Sequence, residues 1–142
     1  MLPDADDLTL PEEDRRELIS WTAACVERLL PIFHQDRPDD TRLDDALDGA
    51  RRFASGQVGV GLMRELAFGC HAAAREAPSV QATAVARATG QAVAVAHMAG
   101  HSREVAWYTG KALAGDALAH ELEWQREHVP QRFRSYVYGN CE

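Results

Sequence analysis

The twenty-one residues from Val80 to Gly100 constrain this chain more than any other stretch. They are mostly alanine, valine and threonine, with Gly90 at the centre. Gln81, Arg87, Gln91 and His97 interrupt the run too often for an ordinary membrane span. They are also too few to give a helix a polar side, so a helix over Val80 to Met98, which Ser79 would cap, has to lie in the middle of a bundle. Its small side chains let neighbours approach near the short end of the usual ~8–10 Å interaxial range.

The residues on either side supply those neighbours. Thr9-Leu10-Pro11-Glu12 has the capping-box form and predicts a helix start. Leu18, Trp21, Thr22, Cys25, Leu29 and Ile32 then share one face, and Pro31 should bend or end the helix. His34 to Asp40 reads as a loop. A second helix is expected over Asp40 to Ser55, with Leu43, Ala46, Leu47, Ala50 and Ala54 inward and Gly56 closing it. A third runs over Val60 to Ala77 on the stripe Leu62, Leu66, Gly69, Cys70, Ala73 and Ala77, stopping before Pro78. Beyond Gly100, Ser102 should cap a final helix reaching about His128, which Gly110 and Gly115 permit to break. Residues 1–9 are expected to be flexible, and 131–142 to form a tail packed on the bundle. No segment alternates as a strand does. The expected fold is all-α: one domain over residues 1–142, a single compact bundle of five or six helices.

Charge narrows the function. The net charge is −7, but it is divided unevenly: residues 1–48 hold fourteen acids against five bases, and the remainder eight against ten. An acidic chain is a poor non-specific ligand for nucleic acid or an anionic membrane. The acidic N-terminus lacks the pattern of a secretory leader, which points to the cytoplasm. Cys25, Cys70 and Cys141 lack disulfide or zinc spacing and read as free thiols, two of them buried. Gly56 to Gly61 is glycine-rich, yet no strand precedes it and no Lys-Ser/Thr follows, so no nucleotide or other cofactor is implied.

Two constellations remain. His97 and His101 are four residues apart, a spacing at which imidazoles share a ligand. With Trp124 they define a candidate small-molecule or metal site between helices. A metal needs three or four convergent donors, and the sequence offers two. Asp40, Asp44 and Asp48 stack along one outer face of the second helix, with Arg51 and Arg52 at its end. Such a one-signed face suits docking to a basic protein partner. No nucleophile elbow, reactive Cys–His pair or catalytic carboxylate frame is legible, and Cys70 and His71 point about 100° apart on a helix. The reading is a binding protein, not an enzyme. A homo-oligomer formed through the alanine-rich face is the other structural option.

Several segments are similar to a family pattern. Arg37-Pro38-Asp39-Asp40 through Ala50-Arg51-Arg52-Phe53-Ala54-Ser55-Gly56 resembles the opening of a small, all-helical bacterial family of immunity proteins from polymorphic toxin systems. His71 to Ala77 resembles its next segment, and Ala86 to His101, with Gly90, His97 and His101 in place, the one after. Tyr108 to Ala112, and Glu121, Trp124, Gln125 and Pro130, resemble its close. The chain departs from the pattern at Thr41-Arg42-Leu43, where the family has Arg-Pro-Arg, and at Gly110, where alanine is usual. The resemblance implies a helical antitoxin that binds a cognate protein toxin, and it brings no catalytic residues.

Overall fold

A computed structural model describes residues 2–139; Cys141 lies outside the described residues. Eight α-helices and two short 3-10 segments make up the described chain, and no strand occurs among the described residues. The helices are α1 (Glu12–Glu27), α2 (Leu30–Asp36), α3 (Arg42–Ala54), α4 (Val60–Glu76), α5 (Val80–Ala94), α6 (Val105–Ala112), α7 (Gly115–His128) and α8 (Arg134–Tyr138). Eight therefore replaces the expected five or six.

The extra helices arise where the sequence suggested a bend or a loop. Pro31 sits in the first turn of α2, where its missing N–H costs nothing, so the proline starts a helix after α1 has ended. Helix α2 then takes up His34, Gln35 and Asp36, which the sequence placed in a loop. The final helix divides at Leu113 and Ala114, with Gly115 at φ +61° where α7 begins. Gly110 stays within α6.

Two caps also differ from expectation. The Thr9 capping box does not form, and α1 has no side-chain cap. Instead, Asp7 Oδ1 accepts the amides of Thr9 (3.0 Å) and Leu10 (3.1 Å), and Leu10 takes a left-handed φ of 57° that buries its side chain. Ser102 caps nothing. It is buried within the 3-10 segment Ala99–Glu104, and its hydroxyl has no partner.

Other signals hold. Ser79 Oγ accepts the Ala82 amide at 3.0 Å, and its hydroxyl donates to Asp36 Oδ2 at 2.7 Å, fixing the start of α5 to the end of α2. Gly56, at φ +81°, ends α3 in a Schellman arrangement: its amide reaches the Phe53 carbonyl and the Gln57 amide reaches that of Arg52.

Helix α5 is the axis. It packs against α1, α2, α3, α4 and α6, and ten of its fifteen residues are buried. Leu18, Phe33, Phe53, Met63 and Phe133 fill the space around it. Its smallest residue is what brings α4 close, since a Cβ on Gly90 would lie 2.7 Å from the His71 ring. The inward stripe of α4 is Met63, Ala67, Cys70, Ala73 and Ala74. Cys70 and Ala73 face inward as expected, whereas Met63 and Ala67 take the places expected of Leu62 and Leu66, leaving Leu62 exposed and Leu66 half-buried.

Residues near the N-terminus and in the tail lie against each other. The Leu8 and Thr9 carbonyls accept the Gly100 and Ala99 amides, and Tyr136 donates its hydroxyl to the Asp7 carbonyl at 2.8 Å. Phe133 and Tyr136 are buried. Among the described residues, no helix is long and apolar enough to cross a membrane.

Candidate functional site

The outer face of α3 carries the predicted charged residues. Asp44, Asp45, Asp48, Arg51 and Arg52 are exposed, because the helix turns Leu43, Ala46, Leu47, Ala50 and Phe53 inward. Several of these charges are engaged within the chain. Asp44 pairs with His34 at 2.8 Å, Arg51 with Glu27 at 2.6 Å, and Asp45 accepts from Thr41 at 3.1 Å. Among the described residues, Asp48 and Arg52 have no side-chain partner. Asp40 precedes the helix and is half-buried. Its carboxylate takes the Arg42 guanidinium at 2.7 Å and the Arg42 amide at 3.0 Å. Arg42 in turn reaches Glu76 at 2.8 Å, joining the start of α3 to the end of α4. The guanidinium holds both carboxyls below their ordinary range. Asp40 is thus a structural clamp, and the exposed face of α3 begins at Asp44.

The histidine constellation comes together only in part. The His97 and His101 rings meet edge to face, with centroids 5.2 Å apart. His101 Nδ1 lies 2.7 Å from Gln91 Oε1 on α5, whereas His97 Nδ1 is buried without a partner. Burial is the main cause that lowers both pKa values. His97 is lowered further by His101, Arg64 and Arg15, while Glu104 opposes the shift at His101.

Trp124 belongs to a different region. It lies on α7, stacked on His128 at 4.0 Å, with the Arg28 guanidinium 4.2 Å from its ring centre. Arg28 follows the C-terminal end of α1, whereas Arg15, in its first turn, donates to the Ala96 carbonyl beside His97. Thirteen residues of helix at 1.5 Å each separate those two points by about 20 Å. No three of His, Cys, Asp and Glu converge on a metal position among the described residues.

A third feature escaped the sequence reading. Helices α4 and α6 flank α5 without packing closely on each other, and they leave a groove floored by α5. At one end a cavity of about 380 Å³ is lined by Pro78, Val80, Thr83, Arg87, Tyr108 and Lys111. Arg87 Nη1 lies 2.8 Å from His71 Nδ1 across the floor. Burial first, then the charges of Arg87, Arg75 and His101, lower the His71 pKa, so the ring is neutral and accepts through Nδ1. The available signal was the row Arg64, Phe68, His71, Arg75 at three- and four-residue spacing. It becomes meaningful only once α6 is known to stand apart.

Cys25 and Cys70 are buried thiols. Burial pushes Cys70 up to about 12 and Cys25 further, so neither is a thiolate nucleophile near neutral pH.

No curated protein and no solved structure matches the chain significantly. The described geometry is that of a helical protein with one charged outer helix and one basic groove. The sequence profile of the Imm-5 like putative immunity protein family matches residues 8–132, nearly the whole bundle, and the chain belongs to that family.

Proposed function

We propose that this chain is a bacterial immunity protein that neutralises a cognate protein toxin in the cytoplasm by covering its surface, with no chemistry of its own. Family membership over residues 8–132 is the observation that carries the reading. The exposed face of α3 supports a place for the contact: Asp44, Asp45 and Asp48 present carboxylates on one helix, Asp44 beside His34 and Asp45 beside Thr41, with Arg51 and Arg52 one turn on. Charge of one sign on a fixed element speeds and orients association with a basic face. Asp40 contributes by holding the start of that helix in place.

Co-expression with protein toxins encoded beside the gene tests this directly. The expected result is restored growth and a complex that co-purifies. The double variant Asp44→Arg, Asp48→Arg should keep its fold and lose most of the rescue. If no neighbouring toxin is bound or neutralised, the reading fails.

A second reading places a small ligand at His97 and His101, and the unpartnered Nδ1 of His97 favours it. Zinc or nickel titration monitored by thermal unfolding tests it. No shift, or a shift that survives His97→Ala, removes it.

A further inference from the structure

Most arginines on the α1, α3 and tail side are neutralised by carboxylates: Arg16 by Glu12, Arg28 by Glu121, Arg42 by Asp40 and Glu76, Arg51 by Glu27, and Arg132 by Asp14 and Glu17. The groove between α4 and α6 differs. Arg87 and Lys111 line its cavity and Arg75 acts on His71 beside it, and none of the three has a carboxylate at ion-pair distance among the described residues; the acid that reaches the cavity's lining, Asp36, is held by Ser79. Arg87 meets the neutral His71, and Lys111 rests over the Trp107 ring at 4.9 Å. In a chain of net charge −7, three cations without an ion-pair partner at one groove are a local reversal of sign.

The same face exposes large apolar groups. Val80, in the cavity wall, is 70% exposed, and Trp107, under the Lys111 ammonium, is 63% exposed. Val80 and Tyr108 line the cavity at the groove's end, with Arg87 and Lys111 at its rim. An apolar hollow with cations at the edge, beside an exposed tryptophan on a helix, has the make-up of a protein-binding hot spot. Phosphate or nucleic acid would not require the apolar hollow, whereas a protein segment supplies both an apolar anchor and carboxylates.

We infer that the α4–α5–α6 groove is a docking surface for an acidic segment of a protein partner, which seats an apolar side chain in the cavity lined by Val80, Thr83 and Tyr108 and places carboxylates against Arg87 and Lys111. The inference rests on the reading of the chain as a protein-binding module. It names a second contact, opposite in sign to the α3 face, so that the partner would present both a basic and an acidic patch.

The test uses isotope-labelled full-length protein and a helical fourteen-residue peptide carrying two leucines one turn apart, flanked by glutamates. Amide shifts are followed by NMR during titration. Shifts confined to residues 80–91 and 107–111 and to the Trp107 indole are expected, together with at least fivefold weaker binding to Lys111→Glu, an exposed change that leaves folding intact. Trp107→Ala, also exposed, should weaken binding several-fold.

Four results overturn the inference: no shifts at millimolar peptide, equal binding of a peptide with lysine in place of glutamate, preferential binding of an oligothymidylate, or self-association of the protein through these residues. Where a toxin complex is in hand, Lys111→Glu separates the two proposals. Undiminished affinity with that variant rejects the groove and keeps the immunity reading. Localised peptide binding without any toxin rescue does the reverse.

Discussion

The imidazole of His71 lies directly over Gly90, at a place where an alanine Cβ would come within 2.7 Å of the ring. The ring atoms in the way are the far end of a half-buried side chain, so the ring can swing out, at the expense of its contact with Arg87. Alanine is favoured over glycine inside a helix by about 1 kcal/mol. Gly90→Ala alone should therefore be close to neutral or destabilise by about 1 kcal/mol, the lost burial offsetting the helical gain. In a His71→Ala background the same change should stabilise. Urea unfolding of the four proteins in the cycle should give a coupling of about 1 kcal/mol or more. Simple additivity would mean that the two residues do not compete for the same space.

Gly49, itself buried, is more tightly enclosed: Leu66 occupies the place of its missing Cβ, and behind that half-buried side chain, which would have to move, stands the buried Met63. Gly49→Ala should destabilise by about 1–3 kcal/mol through overpacking of the α3–α4 contact. A midpoint shift in urea at constant slope is the expected signature.

Helix α7 is held by few anchors. Gln125 is its one buried residue, donating from Nε2 to Thr109 Oγ1 at 3.0 Å, while the Gln125 carbonyl accepts the Trp21 indole at 3.0 Å. Arg28 adds a contact to Glu121 at 2.6 Å, and the rest of the helix is exposed or half-exposed. Amide exchange should be fastest within α7 and slowest in the middle of α5, because local opening follows the density of buried contacts. Trp21→Phe, which removes the indole donor, should speed exchange in α7 more than in α5. Uniform protection across both helices would contradict this.

Protonation of the histidines sets a pH dependence. His71, His97 and His101 all have folded pKa values below the ordinary 6.5, chiefly through burial. The unfolded chain therefore takes up these protons first, and stability, complete above 6.5, falls as pH drops below it. Asp40 and Glu76 lose their contribution only at lower pH, below their ordinary values of 3.8 and 4.5. The melting temperature should decline between pH 7.5 and 5.5, and His71→Gln should flatten part of that decline. A flat profile across this range would remove the histidines as its cause.

Much of the fold was legible because α5 has no polar side: its central place follows from the composition of residues 80–98 alone. The boundaries at Gly56 and Ser79 were legible too, since each residue does locally what its chemistry favours. Pro31 and the break at Leu113 and Ala114 were harder, because a proline suits the first turn of a new helix as well as the end of an old one. In α4, Cys70 and Ala73 were legible as inward residues, but Met63 rather than Leu62 is buried, since leucine and methionine are alike in hydrophobicity and packing against Gly49 separates them. At the candidate sites, the closeness of His97 and His101 followed from their spacing. The distance to Trp124 did not, as it depends on the length of α1 lying between. The basic groove depends on α4 and α6 keeping apart, a tertiary relation to which no local pattern corresponds.

The central position of α5 has a consequence for how the chain comes into being. Four helices precede it in sequence, and all four pack against its surface or against each other around it. During synthesis those helices emerge before their common support exists, so the first 79 residues have no finished core to form and the fold closes only after α5 arrives. A fragment ending at Pro78 should remain unfolded on its own, and should become ordered when the rest of the chain is supplied in trans.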